Sequence, residues 1–276
     1  MTNRYAISPN EAKLMDTQSL RDNFLLGDIA KADECTLAYT HYDRMIVGGV
    51  KPLTKEVSLS NHPELRANSF LQRREIGIIN VAGNGTVNAG NESFSLSKLD
   101  CLYVGMGSDE ISFSSDNEDE PAVFFLLSCP AHHKYPNRLM TKDEASPVNL
   151  GSVETANERT IYKYIHNDGI LSCQLVMGLT VLKTGSVWNT MPAHTHDRRM
   201  EAYFYFDVKD DHRVFHMMGQ PQETRHMIVA NHQAIVSPPW SIHSGCGTSN
   251  YSFIWGMAGE NKDFTDMDAV NIPNIL

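Results

Sequence analysis

Two textures follow one another along the chain. The first, to about residue 35, reads as helical from its start signals. Ser8-Pro9-Asn10-Glu11 is a capping-box sequence with proline at the first helical position, and Asp16-Thr17-Gln18-Ser19 opens a second turn or helix ending near Gly27. From residue 36 the pattern changes to short apolar runs broken by Gly, Asn and Asp, such as Arg44–Val50, Ile76–Val81 and Ala122–Leu127. Such runs at close spacing, with no helical pattern between them, predict an antiparallel sandwich or barrel. Gly83-Asn84-Gly85 reads as a hairpin turn. It is not a phosphate loop, because no strand–helix unit surrounds it.

A polar, proline-containing stretch from Tyr135 to Pro147 separates these runs from a second β-rich series, and Thr141-Lys142-Asp143-Glu144 within it could cap a short helix. The chain therefore divides into a helical segment over 1–35, a β unit over 36–145 and a second β unit over 151–276. The two β units resemble distant copies. Arg73-Arg74-Glu75 opens the run Ile76–Ile79 as Arg198-Arg199-Met200-Glu201 opens Ala202–Phe206, and Cys101–Gly107 parallels Ala234–Trp240 in the same order.

Composition leaves this picture intact and narrows the partners. The 276 residues carry a formal net charge of −10, which argues against nucleic acid and against an anionic membrane surface. It leaves room for an anionic small molecule bound by local arginines. Five widely spaced cysteines with no Cys-x-x-Cys pair suit reduced thiols in a cytoplasm better than a disulfide framework. The N-terminal residues lack a signal-peptide run, and no window approaches the roughly 18 apolar residues of a membrane span. The expectation is a soluble, cytoplasmic protein.

The densest chemistry lies in the second β unit. His194-Thr195-His196 is followed by Glu201, and Pro238-Pro239-Trp240-Ser241-Ile242-His243 ends 42 residues after that glutamate. Side chains two apart on an extended strand share a face, so His194 and His196 point the same way. Glu201 comes within their reach if a turn intervenes, and His243 arrives from a separate strand. Three imidazoles and a carboxylate suit Zn²⁺, Fe²⁺, Mn²⁺ or Ni²⁺. The first unit has no His-x-His, and Glu110 stands roughly where His243 stands in the second. The first copy is therefore expected to hold no metal and to serve structure, assembly or the lining of a neighbouring site. Tyr203 to Phe206 read as barrel core, as do Met217 and Met218, while Trp240 either walls the metal pocket or packs in the core.

These motifs resemble the cupin superfamily, whose small jelly-roll barrels carry a His-x-His-x₄-Glu motif and a second motif ending in histidine. Longer phrases resemble one bicupin family, the bacterial 5-keto-4-deoxyuronate isomerases: Asp43–Gly49, Asn189–His196, His216–His226 and Trp240–Gly245, with likeness from about residue 14 onward. The resemblance implies two tandem cupin barrels, without a metal motif in the first and metal-binding in the second. It implies one Zn²⁺ per subunit held by His194, His196, Glu201 and His243, and assembly as a homohexamer. It also implies the aldose–ketose interconversion of 5-dehydro-4-deoxy-D-glucuronate and 3-deoxy-D-glycero-2,5-hexodiulosonate in the breakdown of pectin and unsaturated uronates.

That chemistry needs a cation for the substrate carboxylate and a base between C1 and C2. Arg225 is the expected anchor, with Arg198 and Arg199 as alternatives. Glu223 is the expected base, since strand alternation puts it on one face with Arg225; His226, His216, Tyr162 and Lys163 are further candidates, and so is Glu201 itself. The competing readings are an isomerase of a related deoxyuronate such as 5-deoxyglucuronate, a metal-dependent dioxygenase, and a sugar-acid-binding or storage bicupin.

Overall fold

The computed structural model describes residues 1–108, 110–145 and 147–276. The apolar runs become strands, and the strands form one arrangement twice. The first seven-stranded sheet runs in the order Thr2–Arg4, Cys35–Thr40, Ile46–Val50, Phe124–Pro130, Arg74–Asn80, Cys101–Val104, Arg138–Met140. It packs against a four-stranded sheet of Val57–Ser58, Ile111–Ser115, Gly85–Ala89 and Glu92–Leu96. The second seven-stranded sheet runs Val148–Leu150, Arg159–Ile165, Val176–Leu182, Ser252–Gly259, Arg199–Phe206, Gln233–Ser237, Leu25–Leu26. Its four-stranded partner is Trp188–Asn189, Ser244–Gly247, Val214–Gln220 and Glu223–Val229. Neighbouring strands are antiparallel, save Thr2–Arg4, which lies parallel to Ala38–Thr40. The five central strands of the two large sheets follow the same order, so the expected duplication is visible in the topology.

The N-terminal segment is less purely helical than expected. Its helices are Pro9–Ala12 and Thr17–Phe24. Ser8 and Glu11 form the reciprocal capping box, and Asp16 accepts the Ser19 N–H at 2.7 Å. The second helix stops three residues before Gly27, because Leu25 turns extended (φ −97, ψ 133) and pairs with Ile235. Thr2–Arg4 joins one large sheet and Leu25–Leu26 the other, so the segment straps the two copies together. Two turn expectations also change. Thr141–Glu144 makes the capping bonds but only a turn, and Gly83–Gly85 links strands in different sheets. The hairpin turn lies instead at Gly90, whose φ of +59 suits glycine.

All eight residues of Arg199–Phe206 and all seven of Arg74–Asn80 are buried, so these strands have no solvent face. One face lines its own barrel and the other lies between the barrels. There the large sheets pack back to back: the Phe125 and Phe204 rings stack at 4.6 Å, and Leu127 fills the space beside Gly256 so closely that a Cβ there would come within 2.1 Å. A second tie is polar. Fully buried Glu75 crosses from the first copy to accept the backbone N–H groups of Cys173, Gln174 and Leu175 at 2.7 to 2.9 Å, and also the Tyr103 hydroxyl at 2.8 Å. No helix among the described residues is long and apolar enough to cross a membrane.

Replacing Glu75 with alanine strands these buried donors. Glu75→Ala is therefore expected to cost about 3–5 kcal/mol in urea denaturation. A loss under about 1 kcal/mol, the typical net worth of one hydrogen bond, would show that the carboxylate does not bind the copies together.

Candidate metal centre

The chain brings His194, His196, Glu201 and His243 together by a short sequence of turns. His194–Thr195 is a two-residue strand paired with Asp268–Ala269. A turn at Asp197–Arg198, closed by the Arg199 N–H on the His196 carbonyl at 3.0 Å, then feeds the strand Arg199–Phe206. This is the turn the sequence required for Glu201 to join the histidines. His243 enters just ahead of Ser244–Gly247 in the facing small sheet. One ligand atom from each residue lies within 4.8 Å of the others, and this is the one such group among the described residues.

Their hydrogen bonds set the chemistry. His196 Nδ1 lies 2.8 Å from the Arg199 carbonyl and His243 Nδ1 lies 3.3 Å from the Ser241 carbonyl. A carbonyl only accepts, so each Nδ1 carries the proton and each neutral ring turns its Nε2 lone pair inward. Those Nε2 atoms stand 3.0 Å from Glu201 Oε2, and His243 Nε2 stands 2.9 Å from His194 Nε2. Lone pairs converging in this way repel unless a cation sits among them. Ligands bonded to one tetrahedral ion at about 2.1 Å stand roughly 3.4 Å apart, slightly more than the 2.9 to 3.0 Å of these three pairs and inside the 4.8 Å that spans the whole group. Burial, followed by His243, pushes His194 down to about 3, which leaves it neutral as a ligand must be. Burial would raise Glu201, but the positive charge that His243 and His196 carry when doubly protonated outweighs that and holds it below the carboxylate range, as a bound cation would do with the rings neutral. The donor set can hold a metal ion.

His194 and Glu201 reach a cavity of about 420 Å³, while His196 and His243 sit behind them, nearly fully buried. Its walls come from Arg159–Ile165, the Thr190–Ala193 turn, Tyr203 and the strand Ser252–Gly259, and its roof from Phe264, Met267 and Ala269 of the C-terminal arm. Tyr203, read as core from the sequence, also faces this cavity; its hydroxyl meets Thr190 Oγ1 at 2.8 Å.

The expected anchor and base lie elsewhere. Arg225 donates through Nη2 to the carbonyls of Lys13 and Met15, both at 2.8 Å, at the end of the barrel plugged by the N-terminal helices. Glu223 and His226 are exposed on the same strand, an edge of the small sheet, and none of the three lines the cavity. Strand alternation does put Glu223 with Arg225, but at the wrong end of the barrel. Arg198 is paired with Asp266 and Asp268, and fully buried Arg199 donates to the carbonyls of Asp263 and Asp266, so both hold the C-terminal arm. His216 is enclosed against Tyr205 (2.7 Å) and pushed down to about 3 by burial, then by His243. Tyr162 packs into the core, Lys163 Nζ sits 5.2 Å over the Phe264 ring, and Trp240 donates to the Ile7 carbonyl beside the N-terminal segment. Sequence reasoning missed Arg159, although alternation along Arg159–Ile165 puts it on one face with Ile161, which shares the cavity wall.

Comparison with known proteins bears directly on this site. A protein called 4-deoxy-L-threo-5-hexosulose-uronate ketol-isomerase from Shouchella clausii is 52% identical over 267 residues, covering 97% of each chain. The protein of the same name from Escherichia coli O127:H6 is 52% identical over 274 residues, 99% of each chain. Among solved structures, an IolB-like protein from Salmonella typhimurium superposes with a TM-score of 0.70 at 16% identity, over 90% of this chain and 97% of its own. Bacillus subtilis oxalate decarboxylase gives 0.54 at 10% identity, over 79% and 70%. These two likenesses concern the fold, which is mainly β and cupin-like. With its residues 30–272 matching the profile described as KduI/IolB, and relatives at half identity along its length, the chain belongs to the KduI/IolB family.

Proposed function

We propose that this protein is an enzyme, a ketol-isomerase that interconverts 5-dehydro-4-deoxy-D-glucuronate and 3-deoxy-D-glycero-2,5-hexodiulosonate, with zinc held by His194, His196, Glu201 and His243. The observation that carries this reading is the convergence of three imidazoles and a carboxylate on the wall of a cavity large enough for a six-carbon sugar acid. The names of relatives at half identity support the substrate. A donor set of three nitrogens and one oxygen suits zinc. The ion, when bound, supplies Lewis acidity to the C1 carbonyl and C2 hydroxyl.

The remaining roles fall to the chain. The carbonyls of Arg199 and Ser241 fix the ring orientation and tautomer of His196 and His243. Glu201, one of the residues on the cavity wall, presents Oε2 to both rings, while its Oε1 makes no hydrogen bond among the described residues. We assign that oxygen, in place of Glu223, to the proton transfer: it takes the C2 proton and returns it at C1, while the hydroxyl proton passes from O2 to O1. Burial, and then Glu201, raises the Tyr203 phenol well above its ordinary value, so it stays a donor beside Thr190 for a substrate oxygen. The homohexamer implied by the family resemblance and the cytoplasmic location expected from the sequence complete the proposal. Five free thiols suit a reducing compartment.

Three measurements test it. Metal-loaded protein given unsaturated-uronate product should remove the C1 aldehyde signal in NMR. No conversion, faster turnover of 5-deoxyglucuronate, or iron with oxygen-dependent turnover would each overturn the assignment. His196→Ala should lower metal content and kcat/KM by at least about 100-fold, as losses at metal sites run, with far-UV circular dichroism unchanged; full metal retention would remove His196 from the ligand set. Metal retention should also fall with pH. Burial lowers His196, but Glu201 outweighs it and the net shift is upward, so protons compete for this ligand as pH drops through the ordinary imidazole value of about 6.5. Retention unchanged down to about pH 4, near the ordinary carboxylate range, would argue against imidazole ligands.

A further inference from the structure

We infer that Arg159 reads the charge of the substrate, its guanidinium binding the uronate carboxylate at the end of the cavity away from the donor set. The inference rests on the isomerase reading and deepens it by naming the residue that sets preference for an acid over a neutral sugar. The cavity wall is largely apolar, with Ile161, Phe253, Trp255, Met257 and Phe264 among its residues. A carboxylate entering such a wall loses its water, and only a cation there offsets the loss. Among the described residues lining the cavity, Arg159 is the one permanent cation.

The bonding of Arg159 leaves it free for this task. Nη1 donates to the Asn157 carbonyl at 3.0 Å, and no carboxylate among the described residues pairs with the side chain. Nε and Nη2, which make no hydrogen bond among the described residues, form the edge of the guanidinium that meets a carboxylate through two parallel bonds. Burial lowers its pKa and Tyr203 partly opposes this, with no acidic group beside it. A half-buried cation with an open fork and no counter-charge is an anion site awaiting its anion. The other arginines expected from the sequence are committed: Arg198 and Arg199 to the C-terminal arm, Arg225 to the N-terminal segment at the far end of the barrel. The backbone of Arg159 is also firm, paired with Leu182 on one side and Leu150 on the other, which gives an anchor a fixed origin. Tyr203, also on the cavity wall, packs its ring 5.6 Å from that of His243, so cation and donor set share one chamber.

The test compares wild type, R159M and R159K, all metal-loaded, on the uronate and on its neutral analogue with the C6 carboxylate reduced to an alcohol. R159M should lose about 10- to 100-fold in kcat/KM on the uronate, the worth of a hydrogen-bonded charge pair. The loss should appear mainly in KM, and R159K should recover part of it. On the neutral analogue R159M should match wild type, with metal content and Tm unchanged. Equal losses on both substrates would overturn the anchor and make Arg159 a structural strap for Asn157; so would no loss on the uronate. If wild type itself fails to turn over the uronate, the isomerase reading falls separately. Calorimetry with D-glucuronate then decides the anchor: binding to wild type that R159M lacks upholds it, and no difference between the two overturns it.

Discussion

Everything at the candidate metal centre depends on a strand that is allowed no exposed face. Along Arg199–Phe206, Glu201 and Tyr203 turn to the cavity of the second barrel, while Phe204 is pinned against Phe125 of the first. Asp43, from the first copy, accepts the Met200 N–H at 2.9 Å, one residue before the carboxylate ligand. Glu201 therefore cannot move without disturbing the contact between barrels. This is how a copy without ligands of its own contributes to the chemistry: it supplies the rigid backing that holds a buried carboxylate among three imidazoles.

The two copies also handle a buried acid in different ways. Glu75 and Glu201 both lie near the start of corresponding central strands, and both are withdrawn from water. Glu75 is surrounded by fixed N–H and O–H donors, so its charge is fully answered by the chain and it serves as a joint. Glu201 faces imidazole lone pairs and an open cavity, so its charge is answered only when a cation joins it. The same residue type yields adhesion in one setting and reactivity in the other, and the difference lies in whether its neighbours donate.

Much of this could be read from the sequence, and the part that could not has a definite cause. The convergence of His194, His196, Glu201 and His243 was legible because their spacing reports a local strand, a turn and one return strand. The apolar runs were legible as strands because burial on both faces leaves short, nearly continuous hydrophobic stretches. The carboxylate anchor proposed here, Arg159, was not legible. Arg225 sits in a distinctive phrase and alternates correctly with Glu223, yet which end of a barrel stays open is decided by what plugs the other. That plug is the N-terminal segment, more than 200 residues away in sequence from its contact with Arg225. Arg159 carries no motif at all. Its importance comes from the neighbours it lacks.

The absence of a side chain at Gly256 has a consequence of another kind. Leu127, from the first copy, occupies the volume that a methyl group there would need. The barrels are thus fitted to each other as key and recess, although their strand orders show them to be variants of one pattern. Once that fit formed, neither copy could drift alone, since a carbon gained on one side must be surrendered on the other. At this contact the two halves are one steric unit: a side chain at position 256 needs a smaller residue at 127.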